Sequence, residues 1–433
     1  MKKVRIALLG LGNVGRGVCM ILNSNKEEIM KRSGYEVEIA KILVRDVSKA
    51  RGVEVSEELI TTDFDEILND DSIKIVLEIM GGIDPAKEYM IKCMNAGKHI
   101  VTANKMLIAT HGDELFENAD SNGVMFKYEA SVAGGIPIIN GIDESLTANK
   151  IKELYGIING TTNYILTKME CDGFGFDEAL KEAQEKGYAE ADPTSDIDGY
   201  DAQYKLAILS SLAFGTKVDV DNVYREGITN IKPIDMEYAK EFKMVIKLLA
   251  IVKEVNGKLE LRVHPTMIPK KHPLANVYDS FNAVFVKGNA VGDLMFYGRG
   301  AGDLPTGSAV VSDVISILRS NVDLENYNSV VKNNLWDREI SDIKDVESKF
   351  YIRATVLDES GVLGEITAIL GKHNVSLRSV IQKGEENGKG QVTIVLVTHK
   401  TTQAQIYSSC NEISKLSSVN KIDNIIRIED FKE

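Results

Sequence analysis

Asp201 and Lys205 close the run E-A-D-P-T-S-D-I-D-G-Y-D-A-Q-Y-K, which begins at Glu190. Five acids crowd into its sixteen residues, and a single lysine ends it. At spacings of four, three and four, Asp201, Lys205, Ile208 and Leu212 share one face of a helix. A lysine on an otherwise apolar face is costly unless it is paired or working. Asp201 lies four residues before Lys205, the favourable orientation for a helical ion pair. Reduction of a carbonyl by hydride leaves an alkoxide. A partly buried lysine whose pKa is brought toward neutrality can protonate it.

A second lysine, Lys105, ends the run V-T-A-N-K just beyond an expected strand. Ligands of open parallel sheets bind at such carboxyl ends. Two lysines converging on one pocket would depress each other's pKa. Glu190 is a candidate to bind a substrate ammonium group, and Asp196 to orient water or the lysine. Asp192-Pro193 and Asp198-Gly199 are turn signals. Two other patterns carry less weight. Tyr164 to Lys168 matches the Y-x-x-x-K of short-chain dehydrogenases but falls beyond the expected sheet. Cys93 and Cys171 have no neighbouring histidine to make either a nucleophile.

A hydride donor needs a binding loop, and the N-terminus supplies a candidate. Gly10-Leu11-Gly12-Asn13-Val14-Gly15 matches G-x-G-x-x-G, directly after a strand and opening a helix. The first glycine permits the turn, the second admits a pyrophosphate, and the third lets helix and strand pack closely. Free N–H groups at the helix start then meet the phosphates. At the end of the second strand an acid suits the ribose hydroxyl of NAD and an arginine the 2′-phosphate of NADP. The chain offers both, Arg45 and Asp46; Arg45 comes first off the strand, so NADP(H) is favoured over NAD(H).

These elements need a scaffold, and 433 residues suffice for two or three domains. With 44% hydrophobic and 27% charged residues the composition is that of an ordinary globular protein. A net charge of −13 argues against nucleic-acid binding, and no apolar run approaches a membrane span. Four scattered cysteines and six histidines form neither C-x-x-C nor H-x-x-x-H, so no zinc site or disulfide framework is expected, and a cytoplasmic setting fits. Arg5 and the break at Asn13 to Arg16 read as a strand entering a tight loop rather than a leader.

The expected fold is α/β. Residues 1–148 alternate strands (Val4–Leu9, Val37–Val44, Ile75–Ile79, Ile100–Thr102, Val124–Tyr128) with helices, one running from the glycine loop to about Arg32, and so read as a parallel Rossmann-type sheet. Residues 149–320 read as an α+β substrate domain, with strands at Lys152–Ile158, Leu259–Pro265 and Asn282–Val286 separated by long helical stretches. A helix from Pro305 to Ser320 is expected to pack back on the first domain. Residues 321–348 read as a linker. Residues 349–428 read as an autonomous ferredoxin-like βαββαβ module.

The spacing from Ala183 through Gly187-Tyr188-Ala189, Asp192-Pro193, Asp196-Ile197, Gly199 and Asp201 to Lys205 resembles the homoserine dehydrogenase signature. Asn159-Gly160-Thr161-Thr162-Asn163, Thr102 to Lys105, Glu129 to Pro137 and Gly298 to Gly302 are similar to other motifs of that family, over about 1–320. The resemblance implies NAD(P)H-dependent interconversion of L-aspartate 4-semialdehyde and L-homoserine, in threonine and methionine biosynthesis. It implies that Lys205 donates a proton, that Lys105 is the second active-site lysine beside the nicotinamide, and that Glu190 binds substrate. Asp196 and Asp201 would orient the groups; Asn13, Val14, Arg45 and Gly302 would touch cofactor. Backbone carbonyls of Glu129, Val132, Gly134 and Ile136 would hold a structural Na+ or K+. One stretch departs from the pattern: Glu78-Ile79-Met80-Gly81-Gly82 stands where many relatives place small hydroxyl residues.

The tail resembles an ACT domain, through Ala354 to Ile366 and His373-Asn374-Val375-Ser376-Leu377. Such domains pair and bind amino acids, which implies L-threonine as effector near Gly361, Leu363 and Asn374, and a homodimer or homotetramer. The alternatives are a purely dimerising module, another NAD(P)-dependent semialdehyde or hydroxy-acid dehydrogenase, and a non-catalytic amino-acid sensor. A sensor has no need of a buried lysine beside Asp201.

Overall fold

In the computed structural model, residues 2–49, 51–320, 336–383 and 390–431 are described. The chain begins with β1 (Lys2–Leu9), α1 (Asn13–Ser24), α2 (Lys26–Ser33), β2 (Tyr35–Leu43), β3 (Ile60–Thr61), α3 (Asp65–Leu68) and β4 (Ile73–Glu78). It continues with α4 (Ala86–Asn95), β5 (His99–Thr102), α5 (Lys105–Ser121) and β6 (Phe126–Lys127). The middle holds α6 (Ile138–Asn140), β7 (Ile151–Ile157), α7 (Gly160–Cys171), α8 (Phe176–Glu185), α9 (Thr194–Ile197), α10 (Tyr200–Phe214) and β8 (Tyr224–Arg225). Then come α11 (Pro233–Glu241), β9 (Met244–Val255), β10 (Lys258–Pro269), β11 (Phe281–Gly288), β12 (Gly292–Arg299) and α12 (Asp303–Arg319). The last elements are β13 (Glu347–Leu357), α13 (Val362–Lys372), β14 (Leu377–Lys383), β15 (Gln391–Thr398), β16 (Thr401–Thr402), α14 (Gln403–Ile413) and β17 (Val419–Ile428).

These elements divide into two compact units. One comprises Met1–Gly160, Asp201–Val223 and Ser280–Asp337; the other comprises Thr161–Tyr200, Tyr224–Asp279 and Arg338–Glu433.

In the first unit the parallel sheet runs β3-β2-β1-β4-β5-β6. The order reverses between β1 and β4, the switch point where open α/β sheets bind ligands. Ile6, Ala7, Leu8 and Leu9 in β1 and Ile75, Val76 and Leu77 in β4 are all fully buried, as strands covered on both faces require. Two helices, α1 and α2, replace the single expected one, because the chain leaves helical geometry at Asn25. Helix α12 lies against α1 so tightly that a Cβ on Gly17 would meet the Asp303 carbonyl oxygen at 2.0 Å. Val310, Val314 and Ile317 complete that core. An antiparallel β12-β11-β7 sheet belongs to the same unit.

In the second unit the strands run β9-β10-β17-β13-β15-β14. The last four strands, with α13 and α14, form the βαββαβ module around Phe350, Ile352, Ile366, Leu396 and Ile406. Two carboxylates, the buried Asp235 and the half-buried Glu226, tie the module to the rest of its unit. Asp235 on α11 accepts from Tyr351 Oη at 3.0 Å, Arg353 Nε at 2.8 Å and Asn424 Nδ2 at 2.9 Å. Glu226 accepts from Arg427 Nη1 at 2.9 Å and Tyr407 Oη at 3.0 Å.

One expectation for the middle fails. Met244–Val255 is a long strand pairing antiparallel with β10, not helix. The eight residues from Val245 to Val252 are all buried, so both faces are covered and no polar face alternates; a nearly continuous apolar run then reads as easily as helix. Of the expected linker, 321–335 lie outside the described residues, while Ile340 bridges to Leu259 and β13 already starts at Glu347.

Lys247 on β9 is fully buried. Its ammonium donates to the Val277 carbonyl at 2.7 Å and Asn163 Oδ1 at 3.3 Å, and lies 4.9 Å from the Tyr278 ring centre. Burial pulls its pKa down to about 8, against weaker upward pulls from Glu170, Cys171 and Asp279. Between that value and the ordinary lysine range the unfolded chain holds a proton that the native protein has released, so stability rises with pH there. The parent's stability relative to Lys247→Met should therefore grow by about 3 kcal/mol between pH 7.5 and 10.5, at about 1.4 kcal/mol per unit. Denaturant titrations of both proteins at the two pH values measure it.

Candidate active site

Only Ala103 and Asn104 separate the end of β5 from the start of α5. The Asn104 side chain caps that helix by accepting from Leu107 N at 3.2 Å. This places Lys105 in the first helical turn, at the carboxyl end of the parallel sheet. Strand β7 ends in the same unit at Ile157, and Ile158 and Asn159 follow in a buried turn. Helix α10 brings Asp201 and Lys205 to that turn one helical turn apart.

The three groups meet on one carboxylate. Lys105 Nζ lies 2.6 Å from Asp201 Oδ1, and Lys205 Nζ lies 2.7 Å from Asp201 Oδ2. Asn159 Nδ2 donates to the same Oδ2 at 2.8 Å. Lys205 also donates to the Ile158 carbonyl at 2.8 Å. Asp201 is only 4% exposed and Lys205 only 8%, whereas the Lys105 side chain is 40% exposed. Burial alone would push the Asp201 carboxyl up; the ammonium groups of Lys205 and Lys105 outweigh it and hold the carboxyl well below its ordinary range. The site is thus a buried anion flanked by two cations, with one ammonium reachable from solvent. It can hold a proton donor in fixed orientation.

The other sequence candidates fall in several places. Gly10 has φ +110°, and a Cβ there would meet the Ile79 carbonyl oxygen at 3.0 Å; a Cβ on Gly15 would meet the Gly10 oxygen at 2.9 Å. A Cβ on Gly12 would meet nothing within 4 Å, which leaves room for a ligand over the helix start. Gly12 caps α1 without any side-chain hydrogen bond, so the first-turn N–H groups at Asn13 and Val14 are available to phosphate. Arg45 is exposed just beyond β2. One oxygen of the Asp46 carboxylate, Oδ1, is engaged by its own turn, accepting from Ser48 N at 2.9 Å and Ser48 Oγ at 2.6 Å. Gly302, at φ +126°, caps α12.

Glu129 to Ile136 form a tight buried loop in which Ala133 (φ 55°) and Gly134 (φ 51°) are both left-handed. The loop is braced by carboxylates. Glu129 accepts from Ile139 N at 2.9 Å and Asn140 N at 2.7 Å, and Asp313 Oδ2 accepts from Glu129 N at 2.8 Å. The carbonyls of Glu129 and Ile136 each accept one backbone N–H, from Val132 and Ile138, and each retains a second lone pair. Oxygens of this kind are the donors a hard cation takes. A separate cleft of about 850 Å³ lies between α5 and the end of α10, lined by residues such as His111, Tyr128, Ile208 and Lys217, with neither Lys105 nor Lys205 in its wall.

Glu190 and Asp196 belong to the second unit. Glu190 is exposed after α8, with its carbonyl accepting from Gln184 Nε2 at 3.1 Å, and Asp196 is half-buried in α9. Gly361 caps α13 at φ +98°, Leu363 is exposed in its first turn, and Asn374 follows its end at φ +57°. The Tyr164 hydroxyl is engaged by Glu182 and Lys186, each at 2.9 Å, while Lys168 pairs with Asp172, so both groups of that pattern serve local polar contacts. Cys93 is buried and its thiol pushed up to about 12 by burial, so it is no nucleophile. Asn159 and the Ile158 carbonyl complete the lysine site although spacing does not single them out. A backbone oxygen has no sequence signature.

Comparison with known proteins places these features in a family. Residues 10–129 match the model described as homoserine dehydrogenase, NAD binding domain; residues 137–315 match homoserine dehydrogenase; residues 350–409 match the ACT domain. Homoserine dehydrogenase of Neisseria gonorrhoeae is 43% identical over 438 residues, covering 100% of both chains. That of Bacillus subtilis is 38% identical over 429 residues, covering 99% of each. The crystal structure of a homoserine dehydrogenase from Thiobacillus denitrificans aligns with TM-score 0.93 and 42% identity, over 100% of this chain and 99% of that one. A hyperthermophilic archaeal homoserine dehydrogenase in complex with NADPH aligns with TM-score 0.62 and 28% identity, over 74% of this chain and 99% of that one.

The depressed Asp201 carboxyl makes a stability difference with a defined pH window. Its contribution is complete above the unfolded carboxylate range and declines as pH falls through the native value. Asp201→Asn should destabilise by about 3 kcal/mol, the scale for breaking a buried pair. That gap should be equal at pH 7 and pH 5 and narrower at pH 3.5, as read from melting temperatures of both proteins.

Proposed function

This chain belongs to the homoserine dehydrogenase family, and on that premise we propose that it interconverts L-aspartate 4-semialdehyde and L-homoserine by the chemistry its lysine site supports. The observation that carries the reading is the single buried carboxylate, Asp201, shared by the ammonium groups of Lys105 and Lys205. A reduced nicotinamide, when bound, supplies the hydride. The chain's own residues do the rest.

Lys205 Nζ gives a proton to the substrate carbonyl oxygen as alkoxide character develops there, and takes it back in the oxidative direction. Asp201 keeps that ammonium charged and aimed. The bond that Lys205 Nζ donates to the Ile158 carbonyl removes a second rotational freedom, so the donor is ordered before substrate arrives. Lys105 adds a positive charge beside the developing oxyanion. Glu190 takes the substrate ammonium group, and Asp196 orients it.

Arg45 favours NADP(H) over NAD(H): it stands exposed just beyond β2, while Oδ1 of Asp46, the alternative ribose partner, is engaged by Ser48. The archaeal relative described as a complex with NADPH supports the same preference. The loop from Glu129 through Val132 and Gly134 to Ile136 holds Na+ or K+ and thereby fixes the chain between β6 and α6. The ACT module takes L-threonine near Gly361, Leu363 and Asn374 and pairs with a second copy, giving a homodimer or homotetramer. Feedback then acts through unequal threonine affinity for two enzyme states. The place in metabolism is the threonine and methionine branch, in the cytoplasm; among the described residues no helix is long and apolar enough to cross a membrane.

Semialdehyde-dependent oxidation of NADPH and NADH by the parent chain tests the reading directly. Lys205→Ala should lower turnover by roughly 100-fold or more, the scale of a lost general acid, with cofactor affinity nearly unchanged. Full activity in that variant would remove Lys205 as the proton donor. Arg45→Ala should raise the KM for NADPH and leave that for NADH unchanged; an unaltered preference would remove Arg45 from phosphate recognition.

A further inference from the structure

Glu78, the last residue of β4, is a fully buried carboxylate that the chemistry above does not use. Its two oxygens bind in different directions. Oε1 accepts the backbone N–H of Met80 at 2.9 Å and of Gly81 at 3.3 Å, in the loop after β4. Oε2 accepts the Thr102 hydroxyl at 2.6 Å, at the last residue of β5. The Thr102 oxygen in turn accepts Asn104 N at 3.0 Å. Asn104 closes the circuit, with Nδ2 donating to the Gly82 carbonyl at 2.6 Å while its Oδ1 caps α5. Backbone bonds follow the same route: Ala103 N donates to the Glu78 carbonyl at 3.3 Å and Lys105 N to the Ala103 carbonyl at 3.1 Å. Every residue from Thr102 to Lys105 is therefore referred, directly or through one neighbour, to Glu78.

We propose that Glu78 is a positioning residue for Lys105: its carboxylate staples the loop after β4 to the end of β5 and so fixes the helix start that presents Lys105 to Asp201. Burial pushes the Glu78 carboxyl up, and the Thr102, Met80, Gly81 and Asn104 donors pull it back. A buried acid is expensive, and a hydroxyl or amide in its place would satisfy fewer of these donors at once. The cost is recovered as placement. Gly81 and Gly82 both have positive φ, at +75° and +79°, so this loop has no conformational preference of its own to hold it in place.

This proposal rests on the assignment of Lys105 to the active site, so two readouts are needed, one of which requires no turnover. The first is the rate at which a small amine-reactive acylating reagent modifies Lys105, followed by mass spectrometry with exposed Lys3 as internal control. Glu78→Gln and Thr102→Val should each raise Lys105 modification severalfold and leave Lys3 unchanged, whereas Thr102→Ser, which keeps the hydroxyl, should behave as the parent. The second is a double-mutant cycle on kcat. Glu78→Gln should lower kcat by roughly 10-fold in the parent but by less than about twofold in the Lys105→Ala background, because residues that act as a unit are not additive. Equal losses in both backgrounds, or unchanged Lys105 labelling in Thr102→Val, would overturn the proposal. If Glu78→Gln does not fold, the Thr102→Val and Thr102→Ser arms carry both readouts alone. If the parent lacks dehydrogenase activity, the labelling arm still decides the positioning role, so the two failures are separable.

Discussion

Two ammonium groups share one buried carboxylate, and the rest of the first unit is arranged to make that arrangement tolerable. Placed together without Asp201, Lys105 and Lys205 would repel each other in a site where burial weakens screening. With Asp201 between them each cation faces an anion at hydrogen-bond distance. Asn159 and the Ile158 carbonyl then satisfy what the pair leaves over. The carboxylate is expensive to bury alone and strongly favoured with both lysines present. Removing any one of the three alters the other two, so they are better regarded as one group than as a list of residues.

The scaffold delivers these groups from three separate stretches of chain. Lys105 comes from the end of a parallel strand, Asn159 from the turn after β7, and Asp201 with Lys205 from a helix. Each stretch is fixed by interactions that touch no substrate. The Thr102–Asn104 circuit sets the start of α5, and the close packing of Gly17 on α12 fixes the nucleotide-binding half. In the second unit Asp235 and Glu226 do the corresponding work for the ACT module, holding β13 and β17 against α11 and β8.

Much of this was legible in the sequence because it is periodic or conformationally special. The four-residue spacing of Asp201 and Lys205 puts both on one face, and both are buried. The glycine loop declares itself through positions where a Cβ would collide, as Gly10 and Gly15 show. Lys105 follows from its place after a strand. Other features leave no such trace. The Ile158 carbonyl and the loop oxygens around Gly134 are backbone atoms, invisible to side-chain reading. Strand β9 is apolar on both faces, so the period that would identify it is absent. Asp235 sits in an ordinary-looking helix, and its partners in the module are more than a hundred residues away.

The claim on which the account stands is that Asp201 holds Lys205 as a charged proton donor. The pH dependence of kcat for semialdehyde reduction, in the parent and in Asp201→Asn, tests it most directly. Reduction needs the ammonium form, so activity fails on the alkaline side where the lysine loses its proton. Neutralising Asp201 removes the charge that retains that proton, and the alkaline limb should move to lower pH by about one unit or more. An alkaline limb that stays in place, with only the height of the profile reduced, would contradict the account and leave Asp201 a purely structural residue.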